Sequence, residues 1–225
     1  MEQSSVQFVE KSVHKEFLRK FVAGISFALF QIFVILGIFY LVLCTGLFMD
    51  FENDKNKVAD TLQISSTEAS KVSHNMISYV KYQNVELDDF FTDREISHLT
   101  EIQGMIKKGL LLEIIIGVYI AVSYLKTIRK LDYKSIKKIY VISIIIEAVI
   151  CGGLALAALF DTRGFVDNFH EIFFKTKTWI LNPIYDKSVY MFSDAFFVDA
   201  ILVIVCGLII MNVLLNSLLK NFIDK

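Results

Sequence analysis

FVAGISFALFQIFVILGIFYLVLCTGLFM, residues 21–49, contains no charged residue. A run of about 20 apolar residues is enough to cross the hydrocarbon of a bilayer, and backbone placed there must satisfy its own hydrogen bonds by forming a helix. The preceding residues 1–20 are long and mixed in charge. The run also exceeds the roughly 7–15 residues of a cleavable signal's apolar core, so an uncleaved membrane anchor is expected. Three further blocks follow: Gly109–Leu125 with Glu113 as its one charge, Ile139–Phe160 with Glu147, and Ala200–Leu219 with none. The second block reaches spanning length by taking in Met105 and Ile106.

The rest of the chain agrees with this reading. Of 225 residues, 55% are hydrophobic, and the mean hydropathy is +0.54. These values exceed the soluble norm, and a soluble core would disperse its apolar residues in shorter periodic runs. A net charge of −1 and a pI near 6.4 give no footprint for nucleic acid. The three cysteines, Cys44, Cys151 and Cys206, lie inside apolar blocks and read as small buried hydrophobes.

Basic residues set the direction. Lys11, Lys15, Arg19 and Lys20 precede the first block. Lys126, Arg129, Lys130, Lys134, Lys137 and Lys138 crowd the connection between the second and third, and Lys220 and Lys225 follow the fourth. The positive-inside rule makes these segments cytoplasmic. The expected architecture is an all-α polytopic membrane protein with four transmembrane helices. Residues 1–20 form a cytoplasmic N-terminus and 21–49 the first span. An extracytoplasmic helical cap over 50–105 carries the acids Asp50, Glu52, Asp54, Asp88, Asp89 and Asp93. Residues 106–125 are the second span, 126–138 a basic cytoplasmic loop and 139–160 the third span. An extracytoplasmic aromatic interfacial loop over 161–199 leads into the fourth span, 200–219, and a cytoplasmic C-terminus, 220–225.

In the cap, Thr67 is the expected N-cap of a helix through Tyr82, with Ala69, Val72, Met76 and Tyr79 or Val80 as its apolar stripe. Thr92 and Glu95 spell a capping box for a helix that runs on into the second span. On that helix Glu95, His98, Glu101, Ile102 and Met105 share a face. Either carboxylate can hold one nitrogen of His98 and direct the other at a substrate. An incidental histidine on a solvated face is the plainer alternative.

The stretch 161–199 is dense in aromatics, among them Phe165, Phe169, Phe173, Phe174, Trp179, Tyr185 and Tyr190, with His170 in their midst. Such a loop belongs at headgroup level. Asn182–Pro183 marks a turn, and Ser193–Asp194 can cap the fourth span. Two histidines on one side of the membrane form the visible general acid/base set. Zinc ligation by His98, His170, Glu101 and Glu171 is the rival use, without an HExxH or clustered motif behind it. Within the membrane Glu147 is costly unless protonated, paired or hydrated, and Asn212 falls at its depth as a partner.

Four spans, REISHLTEIQ (94–103) before the second, FHEIFFKTKTWILNPIYD (169–186) before the fourth and ASKVSHNMISYVKY (69–82) in the cap together resemble the bacterial lipoprotein intramolecular transacylase family. The resemblance covers nearly the whole chain. It implies an acyltransferase at the outer face of the cytoplasmic membrane of certain Gram-positive bacteria. The implied reaction moves the sn-2 acyl chain of a diacylglyceryl-modified lipoprotein onto the α-amine of the same N-terminal cysteine, giving a lyso-form. The family's two essential histidines match His98 and His170, and Glu101 stands where the family often has H-x-x-D. The partners implied are diacylglyceryl lipoproteins and membrane lipid, with no cofactor and no metal. His98, oriented by Glu101, is the expected base and His170 the expected acid, with the reverse assignment open. Phe174, Trp179, Asn182 and Tyr185 are the candidate substrate-binding residues. A lipid-linked hydrolase or other acyltransferase and a noncatalytic membrane partner or transporter component are the competing classes.

Overall fold

The computed structural model describes residues 2–81, 85–87 and 89–221, with backbone alone for 2–9 and 219–221. Tyr82, Asp88 and Lys225 therefore lie outside the described residues, as does the side chain of Lys220. All regular structure among the described residues is helical. In chain order the α-helices are α1 (Glu2–Cys44), α2 (Gly46–Lys55), α3 (Val58–Leu62), α4 (Ser66–Val80), α5 (Asp93–Lys126), α6 (Tyr133–Phe160), α7 (Thr162–Phe173), α8 (Ser188–Met191) and α9 (Asp194–Asn221). Among the described residues three helical stretches are long and apolar enough to cross a membrane: Glu10–Cys44, Tyr133–Phe160 and Asp194–Leu218. α5 is comparably long, but Lys107, Lys108 and Glu113 dilute it and it is not among the three. These helices leave Ile145, Val149 and Leu156 of α6 and Ile209, Val213 and Leu214 of α9 bare. Apolar surface on that scale calls for hydrocarbon around it.

Contacts divide the chain into two units, one of residues 1–35, 112–153 and 207–225, the other of 36–111 and 154–206. In the first, the expected bond between Glu147 and Asn212 is present, with Asn212 Nδ2 donating to Glu147 Oε2 at 3.1 Å. Two partners were not anticipated. Gln31 Nε2 donates to Asn212 Oδ1 at 2.9 Å, and the Tyr140 hydroxyl, on a fully buried side chain, reaches the same oxygen at 3.0 Å. Three helices thus share one polar knot where unsatisfied groups would cost several kcal/mol each, by a rough hydrocarbon-transfer scale.

The second unit departs from the sequence reading in three places. The apolar run 21–49 does not stay in one helix: α1 ends at Cys44, and Thr45 is extended at φ −114° and ψ 134°. Thr45 Oγ1 donates to the Leu41 carbonyl at 2.7 Å, and Lys81 Nζ to that of Cys44 at 3.4 Å, so the helix end is satisfied. The glycine that follows the break admits the His74 ring. A Cβ there would stand 2.4 Å from the His74 ring. Gly46, Leu47, Phe48 and Met49 belong to α2, with Met49 in the core.

The cap helix α4 starts earlier than Thr67. Ser65 Oγ accepts from Glu68 N at 3.1 Å, so the box is S-x-x-E and Thr67 sits in the first turn. The expected stripe is right: Ala69, Val72, Met76 and Val80 are buried, with Ile77 beside them. Val72, Met76, Ile77 and Val80 join Val58, Phe91, Leu99, Met191 and Phe196 in one apolar cluster.

The third departure is α7, in the stretch expected to be a loop. Asp161 caps it by accepting from Gly164 N at 2.9 Å, and Phe165, Phe169, Ile172 and Phe173 recur every three or four residues. No residue of α7 is buried, as befits an amphipathic helix whose apolar face is left for lipid. The Asn182–Pro183 turn is present, with Tyr185 N and Asp186 N both bonded to the Asn182 carbonyl. Ser193 Oγ accepts from Phe196 N at 3.4 Å, and the helix it caps begins at Asp194, ahead of the expected 200.

Candidate active site

Thr92 and Glu95 close the expected capping box: Glu95 N donates to Thr92 Oγ1 at 3.3 Å, and Thr92 N to Glu95 Oε2 at 2.7 Å. That start fixes the phase of α5 and turns His98, 8% exposed, inward one turn later. On α7, His170 Nδ1 lies 2.7 Å from the Val166 carbonyl one turn back. A carbonyl only accepts, so Nδ1 carries the hydrogen and Nε2 of the neutral ring carries the lone pair.

The two imidazoles meet at 5.4 Å between ring centroids. Phe174 stacks on His170 at 5.1 Å and tilts against His98 at 4.8 Å, and Trp179 stacks on the ring of His170 at 5.0 Å. Burial first and the neighbouring His170 second lower the pKa of His98 to about 4, with Glu101 opposing both. Burial also lowers the pKa of His170, against the Val166 carbonyl and Asp167. Both rings are therefore neutral at pH 7, held so by their apolar surroundings and, at His98, by the second imidazole.

One face of α5 holds the segment that carries these aromatics. Glu101 Oε2 accepts from the hydroxyls of Thr176 at 2.7 Å and Thr178 at 3.0 Å. Arg94 Nη1 donates to the Ile180 carbonyl at 3.0 Å. Glu95, 1% exposed, accepts Ser188 N on its second oxygen at 2.6 Å. Buried Asp186 accepts Thr92 Oγ1 at 2.7 Å and Asn182 N at 2.6 Å.

This geometry corrects the expected role of the carboxylates. Neither Glu95 nor Glu101 holds a nitrogen of His98, whose Nδ1 is buried without a partner among the described residues. Both are committed to the facing loop instead. Burial pushes the pKa of Glu101 up, but the Thr176 and Thr178 hydroxyls and His98 outweigh it, leaving a carboxylate below its ordinary range. Of the four substrate-binding candidates, Phe174 and Trp179 stand at the histidine pair. Asn182 is spent on its turn, with Oδ1 accepting from Ile184 N at 2.9 Å, and Tyr185 is 69% exposed. No group of three or more His, Cys, Asp or Glu side chains that could hold a metal forms among the described residues, and Glu171 pairs with Lys177.

The anchoring roles of Asp186, Thr176 and Thr178 were not read from the sequence. The Thr-Lys-Thr run after Phe174 and the acid four residues past Asn182 are their only local signals. The Val166 carbonyl has no signal at all, because every residue carries one.

Helices that need a lipid solvent, with a buried and a half-buried neutral imidazole brought together among aromatics, define a membrane-integral protein that carries a paired-histidine site. The family described as "Lipoprotein intramolecular transacylase Lit" matches residues 23–197, and the chain belongs to that family. It is thereby an acyltransferase of the bacterial membrane. The fold is similar to the in meso structure of the membrane integral lipoprotein intramolecular transacylase Lit from Bacillus cereus, with a TM-score of 0.79 at 17% identity over 94% of this chain and 97% of that one. A form of the Bacillus cereus protein with one histidine replaced by alanine gives 0.76 at 15% identity over 96% and 97%. A form with an arginine replacement gives 0.76 at 15% over 100% and 97%. No curated protein matches the sequence.

Proposed function

We propose that the chain moves an acyl group within one lipoprotein, from the sn-2 ester oxygen of diacylglyceryl-cysteine to the α-amine of that cysteine, with His170 as proton carrier and His98 as hydrogen-bond donor. The observation that carries the division of labour is the His170 Nδ1 contact to the Val166 carbonyl, 2.7 Å, which leaves Nε2 as a base. His98 takes the complementary tautomer. Its Nδ1 is buried without a partner, and a buried lone pair is tolerated better than a buried orphan N–H, so the proton sits on Nε2. This inverts the assignment expected from sequence.

The unprotonated amine attacks the ester carbonyl carbon. A C–N bond forms, and the carbonyl electron pair moves to oxygen, where His98 Nε2–H can stabilise it. His170 Nε2 takes the proton from the attacking nitrogen and returns it to the sn-2 glyceryl oxygen as the C–O bond breaks. Amide and alcohol replace amine and ester, and the balance needs no ATP, metal or redox partner. A low pKa suits the return step, because a ring that is a weaker base is a stronger acid once charged. Amine and ester belong to one molecule, so the site's main task is to hold them in reactive register. Phe174 and Trp179 supply the apolar walls.

The same reading takes α5 as a fourth span, supported by its 34 residues and by the exposed Leu111, Ile114, Ile115, Val118 and Leu125. Its orientation places both termini and the basic 126–138 connection in the cytoplasm and the histidines outside.

The test is expression in a host that retains diacylated lipoproteins, followed by mass spectrometry of their N-termini. Conversion to an N-acylated lyso-form of unchanged total mass is expected. Loss of one acyl chain identifies a hydrolase, and unchanged lipoproteins beside a folded, expressed protein identify a noncatalytic partner. His98→Ala and His170→Ala should each lower the rate by about 10²–10⁴-fold. His98→Gln should recover part of the loss, since its amide N–H replaces a donor. His170→Gln should recover none, since an amide is no base. Equal behaviour of the two glutamine variants would remove the assigned roles.

A further inference from the structure

Away from the histidines, a cavity of about 370 Å³ opens between the N-terminal part of α1 and the connection from α5 to α6. Ser12, Lys15 and Arg19 line it from α1 and Lys130 from the connection, along with the acids Glu16 and Asp132. The acids are already engaged. Glu16 Oε1 accepts from Lys20 Nζ at 2.5 Å, and Asp132 Oδ1 accepts Ser135 N at 2.9 Å at the start of α6. The cations are not: none of Lys15, Arg19 and Lys130 forms an ion pair among the described residues. The cavity therefore offers three cations without ion-pair partners and a hydroxyl against two carboxylates, a lining of net positive charge with the donors a phosphate needs.

We propose that this cavity binds the phosphate of an anionic phospholipid headgroup. Its depth is the second argument. The charge-free run of α1 begins at Phe21, so at about 1.5 Å per residue Arg19 lies roughly 3 Å and Lys15 roughly 9 Å beyond the apolar boundary. The polar layer of a bilayer extends about 5–7 Å past the hydrocarbon on each side, so the two cations bracket the phosphate level. A third feature continues it along the chain. Tyr133, Lys134, Lys137 and Lys138 line a second groove with Val141 and Ile142, a basic rim passing into an apolar floor as a headgroup passes into its acyl chain. Basic pockets at a helix connection on this side of a membrane are the kind that hold anionic lipid. A free phosphate would satisfy the cations equally but has no use for the apolar groove.

The experiment takes the full chain in detergent micelles and follows retained lipid by native mass spectrometry during titration with phosphatidylglycerol, phosphatidylcholine or inorganic phosphate. Selective retention of phosphatidylglycerol is expected. A Lys15→Gln/Arg19→Gln/Lys130→Gln variant should weaken it on the order of a hundredfold, at about a fivefold loss per removed charge. A charge-matched control, Lys11→Gln/Lys126→Gln/Arg129→Gln, removes three cations outside the cavity and should retain lipid nearly as the parent does. Equal loss in both variants would reduce the site to diffuse surface charge and overturn the proposal. So would equal retention of the two lipids, or displacement of phosphatidylglycerol by millimolar inorganic phosphate. Should the triple glutamine variant fail to fold, Lys15→Gln alone against Lys15→Arg makes the same comparison, with binding lost in the first and kept in the second.

Discussion

His98 is asked to be buried and titratable at once, and the conflict has a measurable consequence. Its folded pKa of about 4 lies below the ordinary 6.5 because burial penalises the charged ring. Above pH 6.5 neither folded nor unfolded chain holds this proton, and the stability contribution is complete. Between 6.5 and 4 the unfolded chain takes up a proton that the folded one refuses, so stability falls as pH falls, by roughly 3 kcal/mol over the window at about 1.36 kcal/mol per pKa unit. Thermal unfolding of the purified protein should accordingly weaken from pH 7 to pH 4.5, and His98→Gln should flatten that slope. A slope unchanged in the variant would assign the acid sensitivity elsewhere. Glu101 behaves differently because its hydrogen bonds go to Thr176 and Thr178 and it reaches the imidazole only through its charge. Glutamine retains an acceptor oxygen, so Glu101→Gln should lower transfer less than loss of either histidine.

The N-terminal end of α5 works as a clamp. Thr92, Arg94, Glu95 and Glu101 together take hold of the segment 176–188, and that segment brings Trp179 onto His170. Glu95 and Asp186 are buried carboxylates, each bonded through both oxygens to backbone N–H or hydroxyl donors. Replacing Glu95 by glutamine turns one acceptor into a donor that faces a backbone N–H, whereas in Asp186→Asn the Thr92 hydroxyl can still accept from the new amide N–H. Leaving a buried polar group unsatisfied costs about 1–3 kcal/mol. Glu95→Gln should therefore lower stability by about that amount, and Asp186→Asn by less. Because Trp179 is the protein's one tryptophan, its fluorescence reports the clamp directly. A red-shifted emission together with slowed transfer is expected in both variants. Slowed transfer with unchanged emission would mean that the carboxylates act on the substrate rather than on the loop. α7 contributes the second ring by a simpler device, with the Val166 carbonyl as the orienting group.

At the scale of the whole chain, the proposed orientation is tested by cysteine labelling in a background lacking Cys44, Cys151 and Cys206. Positions in 55–65 and 175–190 should label from outside the cell, and positions near both termini only after permeabilisation. A label on the 126–138 connection from outside would overturn the arrangement. Membrane residence was legible from residues 21–49, 139–160 and 200–219 alone, because hydrocarbon length and charge exclusion act on consecutive residues. The α5 start was legible for the same reason, a capping box being confined to four neighbours. Family membership, too, was carried by short local motifs around His98 and His170. What only the tertiary structure decided are matters of distance between remote residues. α1 stops at Cys44, with Thr45 extended and Gly46 leaving room for the His74 ring, and the hydrogen bonds of Glu95 and Glu101 go to a loop more than 70 positions later rather than to the imidazole beside them. The tautomer of His170 rests on a backbone carbonyl, a group common to every residue and so silent in any sequence until the fold chooses which one the ring meets.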